Sequence, residues 1–206
     1  ITAGWAMAVT MAVYLVNAFS GAHLNPAVTI GLATIGKFQW SQVGGYVAAQ
    51  MAGGIAGATL VWLAYLVHWK ETSDPDKIRG CFCNSPAIPN TVANLITEII
   101  GTFVLMLGVL AILTPENLVP NLGFKEALKP CLVGVMVFSV GLSLGGPTGY
   151  AINPARDLGP RIAHAILPIA GKGHSGWGYS WIPVVGPIVG AIVAACFYKA
   201  LWPIPA

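Results

Sequence analysis

The sequence predicts an all-α membrane protein made of inverted repeats, with two short half-helices that re-enter the bilayer. Three observations carry this prediction. Of 206 residues only 17 are charged, ten basic and seven acidic, while 56% are apolar. A soluble domain carries about three times that share of charge, so a soluble globular enzyme, a disordered chain and a coiled coil are excluded. Five apolar stretches approach the roughly 20 residues that cross a bilayer. A twelve-residue block occurs twice, each time beside one of those stretches.

The expected spans are Thr2–Phe19, Val43–Val67, Val92–Leu113, Leu128–Leu144 and Ile182–Trp202. The connector His68–Thr91 carries Lys70, Glu71, Asp74, Asp76, Lys77 and Arg79 and reads as an aqueous loop. Pro115–Lys129 is a second polar connector, and Gly171–Tyr179, rich in glycine, is expected to be exposed. Two apolar pieces, Pro26–Ile35 and Pro154–Leu167, are too short to span and suit re-entrant helices. Each opens on an Asn-Pro pair. Twenty-five glycines and fifteen prolines fit helices that pack closely or break.

Ser20-Gly-Ala-His-Leu-Asn-Pro-Ala-Val-Thr-Ile-Gly31 aligns without a gap on Thr148-Gly-Tyr-Ala-Ile-Asn-Pro-Ala-Arg-Asp-Leu-Gly159. The second unit reads span, span, half-helix, span; the first reads span, half-helix, span. The expectation is one channel domain over 1–206: a partial first repeat (1–67), a connecting loop (68–91) and a second repeat (92–206). One further transmembrane helix is expected ahead of Thr2. An odd number of spans between the copies inverts them, so the half-helices enter from opposite faces.

Asn is a strong N-cap and proline suits the first helical position, so Asn25-Pro26-Ala27 and Asn153-Pro154-Ala155 mark helix starts. If each Asn oxygen caps its own helix, its amide N–H groups are left as donors. About ten residues at 1.5 Å rise give half-helices of about 15 Å, so two end to end cross the apolar core. Their N-termini, each carrying about half a positive charge, would meet at the midplane and repel cations while donating to neutral solutes.

The two blocks resemble the signature loops of the major intrinsic protein family, the aquaporins and glycerol facilitators, and the resemblance extends over the whole chain. It implies an aquaporin-like right-handed bundle and no cofactor. Asp157 directly after Arg156, Arg161, and the pair Pro183-Val184 resemble the glycerol-conducting branch. The resemblance maps the outer selectivity filter onto Trp5, Gly141, Tyr150 and Arg156; Tyr150 departs from the Phe usual in bacterial glycerol facilitators. Trp5 and Tyr150 would face the carbons of glycerol while Arg156 donates to its hydroxyls. A homotetramer is implied by the resemblance alone.

Arg156 inside a membrane segment costs at least about 2.5–3.5 kcal/mol unless it faces a wet cavity, so a functional role is expected. Asp157 is expected to bond nearby backbone. Glu98, an isolated acid in its span, reads from the residues as a proton relay, whereas the resemblance makes it the support of a re-entrant loop. His23 is expected either to line the pore or to be a satisfied structural histidine. Gly53/Gly57, Gly141/Gly145 and Gly186/Gly190 are small-residue pairs that let helices approach. Cys81, Cys83 and His68 make a poor metal site, and no metal is expected. Gly173-His174-Ser175-Gly176 resembles an intramembrane-protease motif, but in an aqueous connector it reads as a chance match. Lys37, Lys125, Lys129 and Lys199 on one face against Lys70, Lys77, Arg79, Arg161 and Lys172 on the other leave orientation unresolved by charge.

The reading is a passive channel for glycerol, other small polyols and some water. The chain is expected to be a multi-pass protein of the plasma membrane, bacterial in origin, with the lipid bilayer as its surroundings. The net charge of +3 gives no reason to expect a nucleic-acid partner. A water-selective aquaporin is the nearer alternative; an inverted-repeat secondary transporter, which would need a coupling-ion site, is the more distant one.

Overall fold

The computed structural model describes residues 1–114 and 122–202. Nine α-helices are found among these residues: α1 (Thr2–Ser20), α2 (Pro26–Thr34), α3 (Trp40–Ala64), α4 (His68–Glu71), α5 (Pro75–Gly80), α6 (Thr91–Leu113), α7 (Leu122–Leu144), α8 (Pro154–Ile166) and α9 (Ile182–Leu201). Helices α1, α3, α6, α7 and α9 are long and apolar enough to cross a membrane. Large apolar side chains on their outer faces, such as Leu15, Leu60 and Leu142, are about two-thirds exposed, which suits lipid rather than water.

Half-helix α2 packs on α6 and α9 through Ala27, Val28 and Leu32 against Met106, Leu110, Ala191 and Ala194. Small residues set this spacing. A Cβ on Gly190 would stand 2.3 Å from the Ile99 carbonyl oxygen, and one on Gly186 would stand 2.6 Å from Glu98 Cβ. Gly190→Ala should therefore push α6 from α9 and destabilise the fold by about 1–3 kcal/mol. Thermal melts in detergent should show a clear loss for Gly190→Ala and none for Gly57→Ala, whose added methyl would meet open space.

That contrast corrects one expectation. Among the described residues Gly53 and Gly57 have nothing within reach of an added Cβ; the approach of α3 to α8 falls on Gly54, where a Cβ would lie 2.8 Å from the Ala155 carbonyl oxygen. Spacing alone identified a small-residue face of α3 but not which glycine of the run meets its partner.

The connectors differ more. Within 68–91 the chain forms α4 and α5 and folds inward. Ile78 and Phe82, one helical turn apart, pack with Trp69, Ala58, Ala163 and Ile169. Surrounding charges hide this apolar pair in a composition count. Asp74 caps α5 by accepting from the Asp76 and Lys77 N–H groups, which holds its carboxyl below the ordinary range. Helix α7 starts at Leu122, six residues before the expected span, because Lys, Glu and Ala favour helix while only the later residues are apolar enough for lipid. Of the connector expected at 115–129, residues 115–121 and the side chains of Lys125 and Glu126 lie outside the described residues. Helix α3 begins at Trp40 and stops at Ala64, short of the apolar Leu66 and Val67, as the backbone turns into α4.

Candidate functional site

The two repeated blocks meet. Asn25 Oδ1 accepts from Ala27 N–H at 2.9 Å, capping α2; Asn153 Oδ1 accepts from Ala155 and Arg156 N–H at 3.0 and 3.2 Å, capping α8. Pro26 and Pro154 occupy the first helical positions. Asn25 Nδ2 donates across to the Ile152 carbonyl at 2.7 Å, and Asn153 Nδ2 donates to the Leu24 carbonyl at 2.9 Å. Each half-helix tip is thus latched to the residue preceding the other cap. One amide N–H of each Asn is consumed in this latch, so one rather than two remains to serve as a donor.

The loops leading to the caps share an unusual backbone. Gly21, Ala22 and Leu24 have φ of 67°, 49° and 55°; Gly149, Tyr150 and Ile152 have 74°, 41° and 45°. Those four non-glycine residues are the only ones at positive φ among the described residues. Each such position costs about 1–3 kcal/mol and needs support from its surroundings. Glu98 supplies it on one side: its carboxylate, 1% exposed, accepts from Ala151 N–H at 2.9 Å and Ile152 N–H at 2.8 Å.

This backbone leaves acceptors behind. Among the described residues no protein donor reaches the carbonyls of Gly21, Ala22 and His23, or those of Gly149, Tyr150 and Ala151. Unpaired carbonyls are tolerated at membrane depth only beside water or a polar solute. Sequence reasoning found the donors, Asn25, Asn153 and Arg156, and missed these acceptors. Their signal is the Gly at the second place of each block followed by residues forced left-handed, which composition does not disclose.

Arg156 lies with its guanidinium carbon 4.5 Å from the centre of the Trp5 ring. Its side chain has no hydrogen-bond acceptor among the described residues, so its N–H groups are free for solute. Trp5, Tyr150 and Arg156 line a mouth cavity of about 410 Å³, together with Arg79, Asn84 and Ser85. Gly141 stands behind it: a Cβ there would lie 2.9 Å from Tyr150 Cζ. The absent side chain therefore makes room for the Tyr150 ring, while the Tyr150 hydroxyl is buried without a partner among the described residues. Arg79 on the opposite wall is ion-paired to Asp76 at 3.1 Å and donates to Ser85 Oγ at 3.2 Å.

Asp157 does not pair with its neighbour Arg156. It takes Arg161, four residues on and fully buried, whose Nε and Nη2 both donate to it at 2.9 Å. The other Arg161 N–H groups donate to the carbonyls of Ser175, Gly176 and Asn84. Arg161 is thereby neutralised and removed from the tally of face charges, which leaves the two faces even. His23 Nδ1 meets Thr29 Oγ1 at 3.1 Å, and its ring packs on Phe38 with centroids 4.7 Å apart.

The 171–179 connector is largely exposed, as expected, with Gly171, Gly173, His174, Trp177 and Gly178 open to solvent, but it turns one residue inward. Ser175 is buried, its Oγ 2.9 Å from His164 Nδ1, and Lys172 Nζ donates to three carbonyls at the end of α8. Ser175 thus meets a histidine on α8, which the motif comparison did not foresee. His164 Nε2 is buried without a partner among the described residues, where no acid orients the ring for nucleophilic catalysis. Cys81 Sγ faces the Lys77 carbonyl and Cys83 Sγ the carbonyls of Arg79 and Ser175, so the two thiols do not converge. Burial pushes the Cys83 thiol up to about 11, keeping it protonated as a donor.

The family described as Major intrinsic protein matches residues 1–198. A probable glycerol uptake facilitator protein of Thermotoga maritima is 58% identical over 202 residues, covering 98% of this chain and 83% of the relative. A glycerol uptake facilitator protein of Bacillus subtilis is 56% identical, covering 96% and 69%. The crystal structure of the aquaglyceroporin from Plasmodium falciparum superposes with a TM-score of 0.85 at 30% identity, covering 97% of this chain and 81% of that one. With two Asn-capped half-helices latched tip to tip among five apolar helices, the chain belongs to the major intrinsic protein family.

Proposed function

We propose that this protein is a passive, bidirectional glycerol channel of a bacterial plasma membrane, acting as one channel domain over 1–206 without cofactor or energy input. The observation that carries the proposal is the reciprocal latch of Asn25 and Asn153, flanked by unpaired carbonyls on both sides. A neutral polyol entering this path exchanges water's hydrogen bonds for a ladder of carbonyl acceptors, with donors at Arg156 and the two Asn amides. Leaving a buried hydroxyl unpaired costs about 1–3 kcal/mol, so such a ladder keeps the barrier low. Trp5 and Tyr150 offer apolar surface to the carbons, and Arg156 offers N–H groups to the hydroxyls. The names of the bacterial relatives support glycerol as the permeant. Water and other small polyols share the route, and the exposed apolar faces of α1 and α3 suit packing in a homotetramer as well as lipid.

Stopped-flow light scattering on proteoliposomes tests this. Vesicles placed in hyperosmotic glycerol should shrink and then refill much faster than protein-free vesicles. Fast shrinkage with refilling at the protein-free rate would instead identify a water-selective pore.

A further inference from the structure

The geometry points to Asn84 as a positioning residue that sets the size cut-off of the mouth by tying the Tyr150 loop to the Arg156 helix. The inference rests on the glycerol-channel reading and extends it to a residue of the long connector, outside both repeated blocks.

Asn84 is buried and sits between the two walls of the constriction. Its main chain faces α8: the N–H donates to Asp157 Oδ1 at 2.7 Å and the carbonyl accepts from Arg161 Nη2 at 2.9 Å. Asp157 is the residue after Arg156, so these bonds fix the connector against the turn that carries the guanidinium. The side chain faces the other wall: Nδ2 donates to the Thr148 carbonyl at 3.0 Å, two residues before Tyr150. Contact there is close, since a Cβ on Gly149 would stand 2.6 Å from Asn84 Nδ2. One residue thus bonds to both walls, with backbone to one and side chain to the other. A second tie, Ala87 N–H to the Pro147 carbonyl at 2.9 Å, holds the connector to the same loop without any side chain.

This division makes the test specific. Asn84→Ala removes the bond to Thr148 and leaves the bonds to Asp157, Arg161 and Pro147, so the connector stays docked while the Tyr150 wall loses its tie. In proteoliposomes the ribitol-to-glycerol permeability ratio should rise by about threefold or more. Hydrogen exchange read by mass spectrometry should quicken over residues 148–152 and stay unchanged over 157–161. Asn84→Asp, which keeps the size but loses the donor when ionised, should act in the same direction and provides the same test should the alanine variant fail to assemble. A wild-type polyol ratio in a folded variant would overturn the positioning role, even with faster local exchange. Absence of glycerol flux in the wild type would overturn the channel reading, while the exchange measurement would still report whether Asn84 holds the loop.

Discussion

Replacing Glu98 by leucine should abolish solute conduction and lower stability by about 2–6 kcal/mol, because two buried N–H groups lose the carboxylate that accepts from them. The carboxylate is buried and faces backbone N–H groups. It holds Ala151 and Ile152, flanking the left-handed Tyr150 and preceding the Asn153 cap, in a conformation the chain would otherwise leave. Glu98→Gln keeps one acceptor oxygen but turns an NH2 towards the second N–H, so an intermediate loss is expected. Thermal melts together with glycerol flux in proteoliposomes distinguish this role from a proton relay: a relay predicts that Glu98→Gln keeps both wild-type stability and glycerol flux.

Replacing Arg156 by valine should preserve the fold and destroy discrimination. The guanidinium makes no hydrogen bond to protein among the described residues, resting instead on the Trp5 ring, so its removal breaks little packing. Asp157 keeps its own partner in Arg161. A cation passing about 5 Å from the guanidinium, at an effective dielectric of about 20, is repelled by about 3 kcal/mol. Losing that repulsion should raise cation leak by roughly two orders of magnitude, with ribitol admitted as well. Unchanged cation leak in a folded Arg156→Val channel would remove this residue from the filter.

The broad architecture was legible because lipid imposes it. Five spans follow from apolar length, and two broken helices follow from a duplicated Asn-Pro block that composition could not produce by accident. The motif alone would not have sufficed. Asp74-Pro75 is the same kind of cap and starts α5 in the outer connector, an ordinary short helix. Duplication and apolar context separated Asn25 and Asn153 from that case.

What escaped the sequence depends on distant contacts. Glu98 and the Ala151 and Ile152 amides are more than fifty residues apart, so only the resemblance suggested their meeting. Nothing in the run from Gly80 to Ser85 marks Asn84 as a tie between two walls. Arg161 enters the face tally as one more basic residue, yet it is fully buried because Asp157 lies one turn before it and three carbonyls converge on it. The acceptor carbonyls belong to the backbone and carry no residue identity at all.

Under the proposed function, two opposed helix tips form a polar path that passes uncharged solutes and turns cations back. Proteoliposomes loaded with a pH-sensitive dye, given a glycerol gradient and a proton gradient together, test it most directly. Rapid refilling with glycerol is expected while the interior pH holds as in protein-free vesicles. Collapse of the pH gradient at the rate of glycerol entry would contradict it.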